Sequence, residues 1–242
     1  ELETYYNADP ARVAVAHPGV DLETFSPADG RAAARARLGI PQDAVMSLFV
    51  GRIQPLKAPD VLINAAAELL GIDPSMRDRL KVVVCGGPSG SGLEHPTALA
   101  DLAAERGVAV DFVPPTSRAT LADYYRAANL VAVPSHSESF GLVAVEAQAC
   151  GTPVIAHAVG GLLTAVSNNV SGILVHGHDP KVWANRIHEF VTCPTCPKRL
   201  SAGAVRHAAL FSWDRTVDSL LDAYKLANAV HVAREMRQAS ND

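Results

Sequence analysis

The sequence predicts an α/β fold built on a doubly wound, parallel sheet. Segments with strand and helix patterns alternate along the chain, and the strand segments VMSLFV and KVVV are almost wholly apolar. A strand that is apolar on both faces has to be covered by helices on both sides of the sheet. Ligands of such sheets bind at the carboxyl ends of the strands. Functional residues are therefore expected in the loops after Val50, Val84, Val113, Val133 and Val159.

Composition narrows the class of protein further. The chain has 242 residues, and its 48% hydrophobic content is that of a globular protein with a sizeable core. A net charge of −4 argues against nucleic-acid binding. No apolar run reaches the ~18 residues of a membrane span, and ELETYYNADP lacks the pattern of a signal peptide. These features favour a cytoplasmic protein.

The first elements follow from local patterns. RVAVAHPGVD alternates apolar residues before a Pro-Gly turn, which predicts a short strand over 12–16. SPADGRAAARARLGI is rich in alanine and ends at Gly39, which predicts a helix. The apolar run 45–51 predicts a buried strand. Segment 58–70 has apolar residues at helical spacing, with Pro59 near its start, and predicts the next helix.

The rest of the chain continues the alternation. Further strands are predicted over 81–87, 108–115, 130–135, 152–159 and 171–177. Further helices are predicted over 95–107, 120–129, 140–151 and 178–191, and in the tail from Leu200. Glycines at 107 and 151 close two of these helices.

Cysteines and histidines give weaker signals. Cys85 and Cys150 lie in apolar segments and are expected in the core. CPTC, residues 193–196, lacks both a second ligand pair for zinc and the strand-then-helix setting of a redox motif. It favours a plain loop, with a disulfide, a metal site or redox chemistry as alternatives. No metal-ligand spacing is found among His17, His136, His157, His176 and His178. His176 and His178 lie in a loop, where surface placement is the default.

Two loops at strand ends suggest phosphate binding. Arg52 and Lys57 lie in GRIQPLKAPD, directly after the strand 45–51. An arginine fork and a lysine point charge together make a clamp for phosphate, although two solvated surface cations would give the same pattern. CGGPSGSG follows the next strand and allows a close backbone approach, or is simply a flexible turn. It matches neither a dinucleotide fingerprint nor a P-loop.

SHSESFGLVAVEAQACG, residues 135–151, places Glu138 and Glu146 around the start of a helix. A helix N-terminus offers free N–H groups and a partial positive charge to a phosphate, and Gly141 leaves room for the approach. One ligand could place a sugar on Glu138, a diphosphate on the helix and a ribose on Glu146. The alternative is a rim glutamate and a first-turn glutamate favoured by the helix dipole.

These motifs together resemble a known enzyme family. GRIQPLKAPD, VVVCGGPSG, YYRAANLVAVPS, ESFGLVAVE and ACGTPVIA are similar to motifs of the retaining GT-B glycosyltransferases of the family-4 type, over nearly the whole chain. Glu138 and Glu146 meet that family's E-x7-E signature. The resemblance implies a Rossmann-like, C-terminal donor-binding domain spanning 1–242, with a core over about 12–195 and C-terminal helices over about 198–238. The N-terminal acceptor domain, which carries the family's catalytic histidine, is not in this chain.

The resemblance also implies roles for individual residues. Arg52 and Lys57 would neutralise the departing diphosphate, Glu138 would bind donor-sugar hydroxyls, and Glu146 would bind the ribose. The PPTSR loop would read uracil near Thr116. Backbone groups would hold the sugar and phosphates at Ser139, Phe140, Gly141, Leu142 and Val143. The chemistry needs no cofactor, although a structural Mg²⁺ is implied at Tyr125, Arg126, Ala128 and Thr152.

Within the family, the motifs are most similar to the members that begin mycothiol synthesis. This implies UDP-N-acetylglucosamine as donor and 1D-myo-inositol 3-phosphate as acceptor, the latter bound through the missing domain. The isolated chain is therefore expected to be inactive. The alternatives are a non-catalytic nucleotide-sugar-binding module, a family member with another donor and acceptor, and a fold that binds neither. An exposed apolar side of the last helices would suit a homodimer or the missing domain.

Overall fold

A six-stranded, all-parallel sheet forms the centre of the computed structural model, which describes residues 5–90 and 97–239. The strand order is β3-β2-β1-β4-β5-β6, so the direction of winding reverses between β1 and β4. The strands are β1 Val45–Val50, β2 Leu80–Cys85, β3 Val110–Val113, β4 Leu130–Val133, β5 Val154–His157 and β6 Gly172–Val175. This order and parallel pairing confirm the predicted doubly wound sheet.

Helices alternate with these strands. The α-helices are α1 Gly30–Leu38, α2 Pro59–Ile72, α3 Ala98–Glu105, α4 Arg118–Ala127, α5 Leu142–Ala149, α6 Leu162–Ala165, α7 Pro180–Thr192, α8 Cys196–Ala208 and α9 Trp213–Ala239. Short 3-10 turns lie at Pro10–Arg12, Pro55–Lys57, Pro74–Met76 and Ala209–Phe211. None of the helices within the described ranges is long and apolar enough to cross a bilayer.

The core lies between the sheet and its helices. One large apolar cluster joins α2 and α7 to β2, β4 and β5, and Leu62, Leu69 and Trp183 in it are fully buried. The central strands β1 and β4 are buried on both faces, which is why they read as continuous apolar runs in the sequence. The edge strand β3 is partly exposed. Packing therefore fixes the strand ends, and with them the loops that carry the polar residues.

Contacts divide the chain into two units, of which Val20–Leu210 contains the whole sheet. In the other unit the Thr216 hydroxyl donates to the His17 carbonyl at 2.7 Å. A Cβ on Gly19 would come within 2.6 Å of the Trp213 backbone, so only glycine fits this contact. The strand predicted over 12–16 is wrong, because the segment has no ladder partner among the described residues and begins in a 3-10 turn.

Two further differences concern local structure. The short helix α6 was not predicted, since four residues are too few to show helical periodicity. The plain loop favoured for CPTC is wrong, because Cys193 and Cys196 form a disulfide and Cys196 begins α8. Cys85 and Cys150 are buried free thiols, as predicted. Part of the predicted glycine turn and of the helix over 95–107 lies outside the described residues.

Candidate functional site

The loops after β1 and β4 lie side by side where the winding of the sheet reverses. The His136 N–H, in the loop after β4, donates to the Leu56 carbonyl, in the loop after β1, at 2.9 Å. In doubly wound sheets this reversal opens a crevice for ligands. The two loops singled out from the sequence are thus brought together by the strand order.

Lys57 and Glu138 form an ion pair at this reversal. The Lys57 ammonium lies 2.6 Å from the Glu138 carboxylate, and the two side chains are only 22% and 16% exposed. Lys57 ends the 3-10 turn Pro55–Lys57, and Ala58 then turns the chain into α2 with a left-handed φ of 50°. The lysine is therefore held by backbone geometry rather than free in solvent, which speaks against a solvated surface cation.

Glu138 itself is fixed by a close backbone contact. The Gly161 N–H donates to the Glu138 carbonyl at 2.9 Å. A Cβ on Gly161 would lie 2.3 Å from the Cα of Phe140 and the carbonyl of Ser139, so this approach requires glycine. Gly141 precedes α5 with a φ of 99°. The helix begins at Leu142, two residues later than the predicted segment, and its N-cap residue, Gly141, provides no side-chain cap.

A cavity of about 460 Å³ opens beside the loops after β1, β2 and β3. Its lining includes Arg52, which is exposed, and Thr116 of the PPTSR loop. A Cβ on Gly86 would lie 1.9 Å from the Gly51 carbonyl, so the glycine in this turn allows two loops to touch. The guanidinium of Arg52 makes no hydrogen bond or ion pair within 5–90 and 97–239.

Glu146 is held by Tyr125. The Tyr125 hydroxyl donates to the Glu146 carboxylate at 2.9 Å, and Tyr125 is fully buried. Burial raises the pKa of Glu146, while the Tyr125 hydrogen bond and nearby Arg118 lower it in part. Burial, and then the charge of Glu146, raise the pKa of Tyr125. Glu146 lies beyond the first turn of α5, so the explanation as a first-turn glutamate favoured by the helix dipole is wrong.

Three of the four residues predicted to hold Mg²⁺ meet at the end of α4. The Tyr125 carbonyl accepts from the Thr152 hydroxyl at 2.6 Å and from the Ala128 N–H at 3.3 Å. The fourth residue, Arg126, was predicted to contribute its backbone carbonyl, and its guanidinium donates to the carbonyls of Thr24 and Ser26. Carbonyl and hydroxyl oxygens are hard ligands that Mg²⁺ accepts, so the set fits a cation held without carboxylates. In the described ranges no three acidic, histidine or cysteine side chains form a metal cluster, and the cation stays a prediction.

Comparison with known families settles what kind of protein carries this site. The profile of the family described as "Glycosyl transferases group 1" matches residues 30–207, which include every strand of the sheet. The chain belongs to this family. The prediction of a glycosyltransferase from the paired motifs is thereby confirmed.

Curated relatives of this glycosyltransferase are close in sequence. The D-inositol 3-phosphate glycosyltransferase of Streptomyces bingchenggensis is 56% identical over 239 residues, which are 98% of this chain and 52% of the relative. The enzyme of the same name from Salinispora arenicola is 58% identical over 238 residues, or 96% of this chain and 53% of the relative. The chain therefore spans about half the length of these relatives.

Solved structures share the fold of this glycosyltransferase. Sucrose-phosphate synthase from Thermosynechococcus elongatus superposes with a TM-score of 0.77 at 35% identity, covering 88% of this chain and 52% of that one. The C-terminal domain of a group 1 glycosyl transferase from Francisella tularensis superposes with a TM-score of 0.68 at 24% identity, covering 79% and 97%. These superpositions confirm the predicted fold class, an α/β domain with a Rossmann-like parallel sheet.

Sequence reasoning missed several residues of this glycosyltransferase that shape the site. Tyr125 was assigned only a carbonyl role, whereas its hydroxyl holds Glu146. His178 was expected on the surface and His157 was given no role, but both are partly buried and bind carbonyls of the loop after β4. No local pattern signals these contacts, because the partners lie 21, 22 and 44 residues apart in sequence.

Proposed function

We propose that this chain is the donor-binding half of a retaining glycosyltransferase that transfers N-acetylglucosamine from UDP-N-acetylglucosamine to 1D-myo-inositol 3-phosphate. The observation that carries the proposal is the Lys57–Glu138 pair at the reversal of the sheet, beside the helix N-terminus of α5. The names of the relatives from Streptomyces and Salinispora support this acceptor. The structure of Anabaena HepE with UDP-glucose, which has the same fold at 23% identity, supports a UDP-sugar donor.

The donor diphosphate would lie on Arg52, Lys57 and the first turn of α5. In the free protein Glu138 neutralises Lys57 at 2.6 Å. A diphosphate carries more negative charge than one carboxylate, so it would draw the lysine away and release Glu138. The freed carboxylate would then accept hydrogen bonds from the hydroxyls of the donor sugar, while Glu146 would accept from the ribose diol.

The uracil would occupy the cavity of about 460 Å³ beside Thr116 and Arg52. Its lining includes Gly51, Gly86 and Gly87, which suits a close approach of a planar base to backbone N–H and carbonyl groups. The base would thus lie at the ends of β1, β2 and β3, and the donor sugar beside the end of β4.

In the transfer, the bond between the anomeric carbon and the diphosphate oxygen breaks, and negative charge grows on the leaving UDP. Arg52 and Lys57 would stabilise that charge in a site from which bound sugar excludes water. The positive end of α5 would add to it. A cation at Tyr125, Ala128 and Thr152, when bound, would tie α4 to the segment before β5, and no step of the transfer depends on it.

Calorimetric titration of the chain with UDP and with UDP-N-acetylglucosamine tests the donor site. We expect both ligands to bind wild-type chain, and Arg52→Ala and Glu146→Ala to weaken both by tenfold or more, about 1.4 kcal/mol. Arg37→Ala, an exposed arginine on α1, serves as the control and should bind normally. A folded wild-type chain that binds neither ligand would overturn the proposal for this chain.

A second function, nucleotide-sugar binding without catalysis, is favoured by the chain spanning about half of its relatives. Mixing the chain with UDP-N-acetylglucosamine and inositol phosphate tests whether the chain catalyses transfer by itself. Release of UDP by the chain alone would show that catalysis needs no further domain. Binding without release would mean that this half supplies the donor site only, as the proposal expects. Normal turnover of an Arg52→Ala variant of the whole enzyme would contradict the role given to Arg52.

A further inference from the structure

Three imidazole rings pack against one another at the carboxyl ends of β4, β5 and β6, in tilted and edge-on pairs. The ring of His178 lies between those of His136 and His157, with centroids 4.1 Å and 4.2 Å away. His157 ends β5, and His178 lies in the loop before α7. His157 and His178 are partly buried, whereas His136 is exposed. The proposed chemistry assigns no role to any of the three.

Two of these rings bind consecutive carbonyls of one loop. Nδ1 of His157 lies 2.9 Å from the Ser135 carbonyl, and Nε2 of His178 lies 2.8 Å from the Pro134 carbonyl. A carbonyl can only accept, so the proton has to be on Nδ1 of His157 and on Nε2 of His178. Ser135 is 2% exposed. Its carbonyl therefore depends on the imidazole for a partner.

The loop held in this way is the one that carries Glu138. Pro134 and Ser135 begin it, and three residues later the Glu138 carboxylate meets Lys57 at 2.6 Å. Between them the His136 N–H binds the Leu56 carbonyl. The position of the Glu138 carboxylate thus follows from where the first two carbonyls are fixed.

A metal site and a catalytic role fit this cluster less well. The two ring nitrogens that can be assigned are occupied by carbonyls, and none of the described His, Cys, Asp and Glu groups of three could hold a metal ion. Asp179, next to His178, is engaged in capping α7 through the Lys181 N–H. The geometry is that of a support for a loop rather than of a reacting group.

We propose that His157 and His178 are positioning residues, whose N–H groups on the Ser135 and Pro134 carbonyls set the Glu138 carboxylate against the donor sugar. This inference rests on the proposed function, because it assigns Glu138 to the sugar part of the donor. It deepens that function by naming what selects the sugar. UDP alone has no sugar to contact Glu138, so loss of the histidine contacts should not weaken UDP binding.

Replacement of His157 and of His178 by asparagine and by glutamine tests the inference. Asparagine can return an N–H close to the Nδ1 position and glutamine close to the Nε2 position. We therefore expect His157→Asn and His178→Gln to bind UDP-N-acetylglucosamine within about threefold of wild type, and His157→Gln and His178→Asn to bind it about tenfold more weakly. None of the four should bind UDP more than about twofold more weakly than wild type.

His176→Gln is the matched control, since His176 is exposed in the same loop as His178 and should change neither affinity. Equal loss of UDP and UDP-N-acetylglucosamine in all four variants, with lower unfolding temperatures, would mean that the histidines only maintain the fold, and would overturn the inference. So would unchanged binding in all four. Failure of wild-type chain to bind UDP would instead overturn the proposed function, and this inference with it.

Discussion

The position of the Glu146 carboxylate is unfavourable for the stability of the folded protein. It is largely buried, it receives one hydrogen bond from Tyr125, and the described residues place no cation in direct contact with it. A buried carboxylate with one partner lowers the stability of the folded state. A protein that needed only a packed helix would place an apolar residue here, so the carboxylate is best explained by a ligand.

Replacement of Glu146 by glutamine tests this at the level of stability. Burial raises the pKa of Glu146 above its ordinary 4.5, so the folded state holds the proton to higher pH than the unfolded state does. Stability is then greatest below 4.5 and falls as the pH rises through the raised value. At pH 7 we expect Glu146→Gln to be more stable by ~1 kcal/mol and to bind UDP more weakly.

Urea unfolding of both proteins across that range of pH is the measurement. The gap between the two curves should close at low pH, where the wild-type carboxyl is protonated. A glutamine variant that is less stable at pH 7 would show that the charge of Glu146 is satisfied in the folded protein, and that the ligand explanation is unnecessary.

Gly161 sets how closely the loops around Glu138 can approach. A methyl group there would meet backbone atoms of Ser139 and Phe140 at 2.3 Å, and backbone cannot move aside as a side chain does. We expect Gly161→Ala to lower the free energy of unfolding by ~3 kcal/mol and to abolish donor binding. Gly71→Ala is the control, because its Cβ would enter open space within α2 and should be neutral or slightly stabilising. Thermal unfolding of both variants decides.

At the level of elements, apolar runs predicted the sheet because its central strands, β1 and β4, are buried on both faces. The prediction of a strand over 12–16 failed because alternating apolar residues form a strand only beside a neighbouring strand. This segment has no such neighbour among the described residues. The loops that form the site were predictable, because they follow the ends of predicted strands. The Tyr125–Glu146 contact and the histidine contacts could not be predicted. Their partners are distant in sequence and meet only in the folded chain.

Arg35 shows how one side chain joins several elements. It is 2% exposed, and its guanidinium donates to the Ala127 carbonyl at the end of α4, to the Gln42 carbonyl and to the Asn129 side chain. Removal takes this donor from both carbonyls, while the Asn129 oxygen keeps the Met46 N–H, so we expect Arg35→Ala to cost about 3 kcal/mol. Arg37, on the same helix but paired at the surface, should cost at most ~1 kcal/mol on replacement by alanine. Chemical denaturation compares them directly, and equal costs would contradict the bridging role.

For the whole molecule, the Lys57–Glu138 pair joins the two halves of the sheet across the reversal of its winding. In the free protein the carboxylate competes with phosphate for the lysine. We therefore expect Glu138→Gln to bind UDP about fivefold more tightly than wild type. This corresponds to ~1 kcal/mol of binding free energy, because the diphosphate no longer has to displace a carboxylate from Lys57. The same variant should gain nothing further when the ligand carries a sugar, because the carboxylate that receives the sugar hydroxyls is gone. Titration with UDP and UDP-N-acetylglucosamine separates the two effects. Weaker binding of UDP by the variant would mean that Glu138 holds Lys57 ready for the diphosphate instead of competing for it.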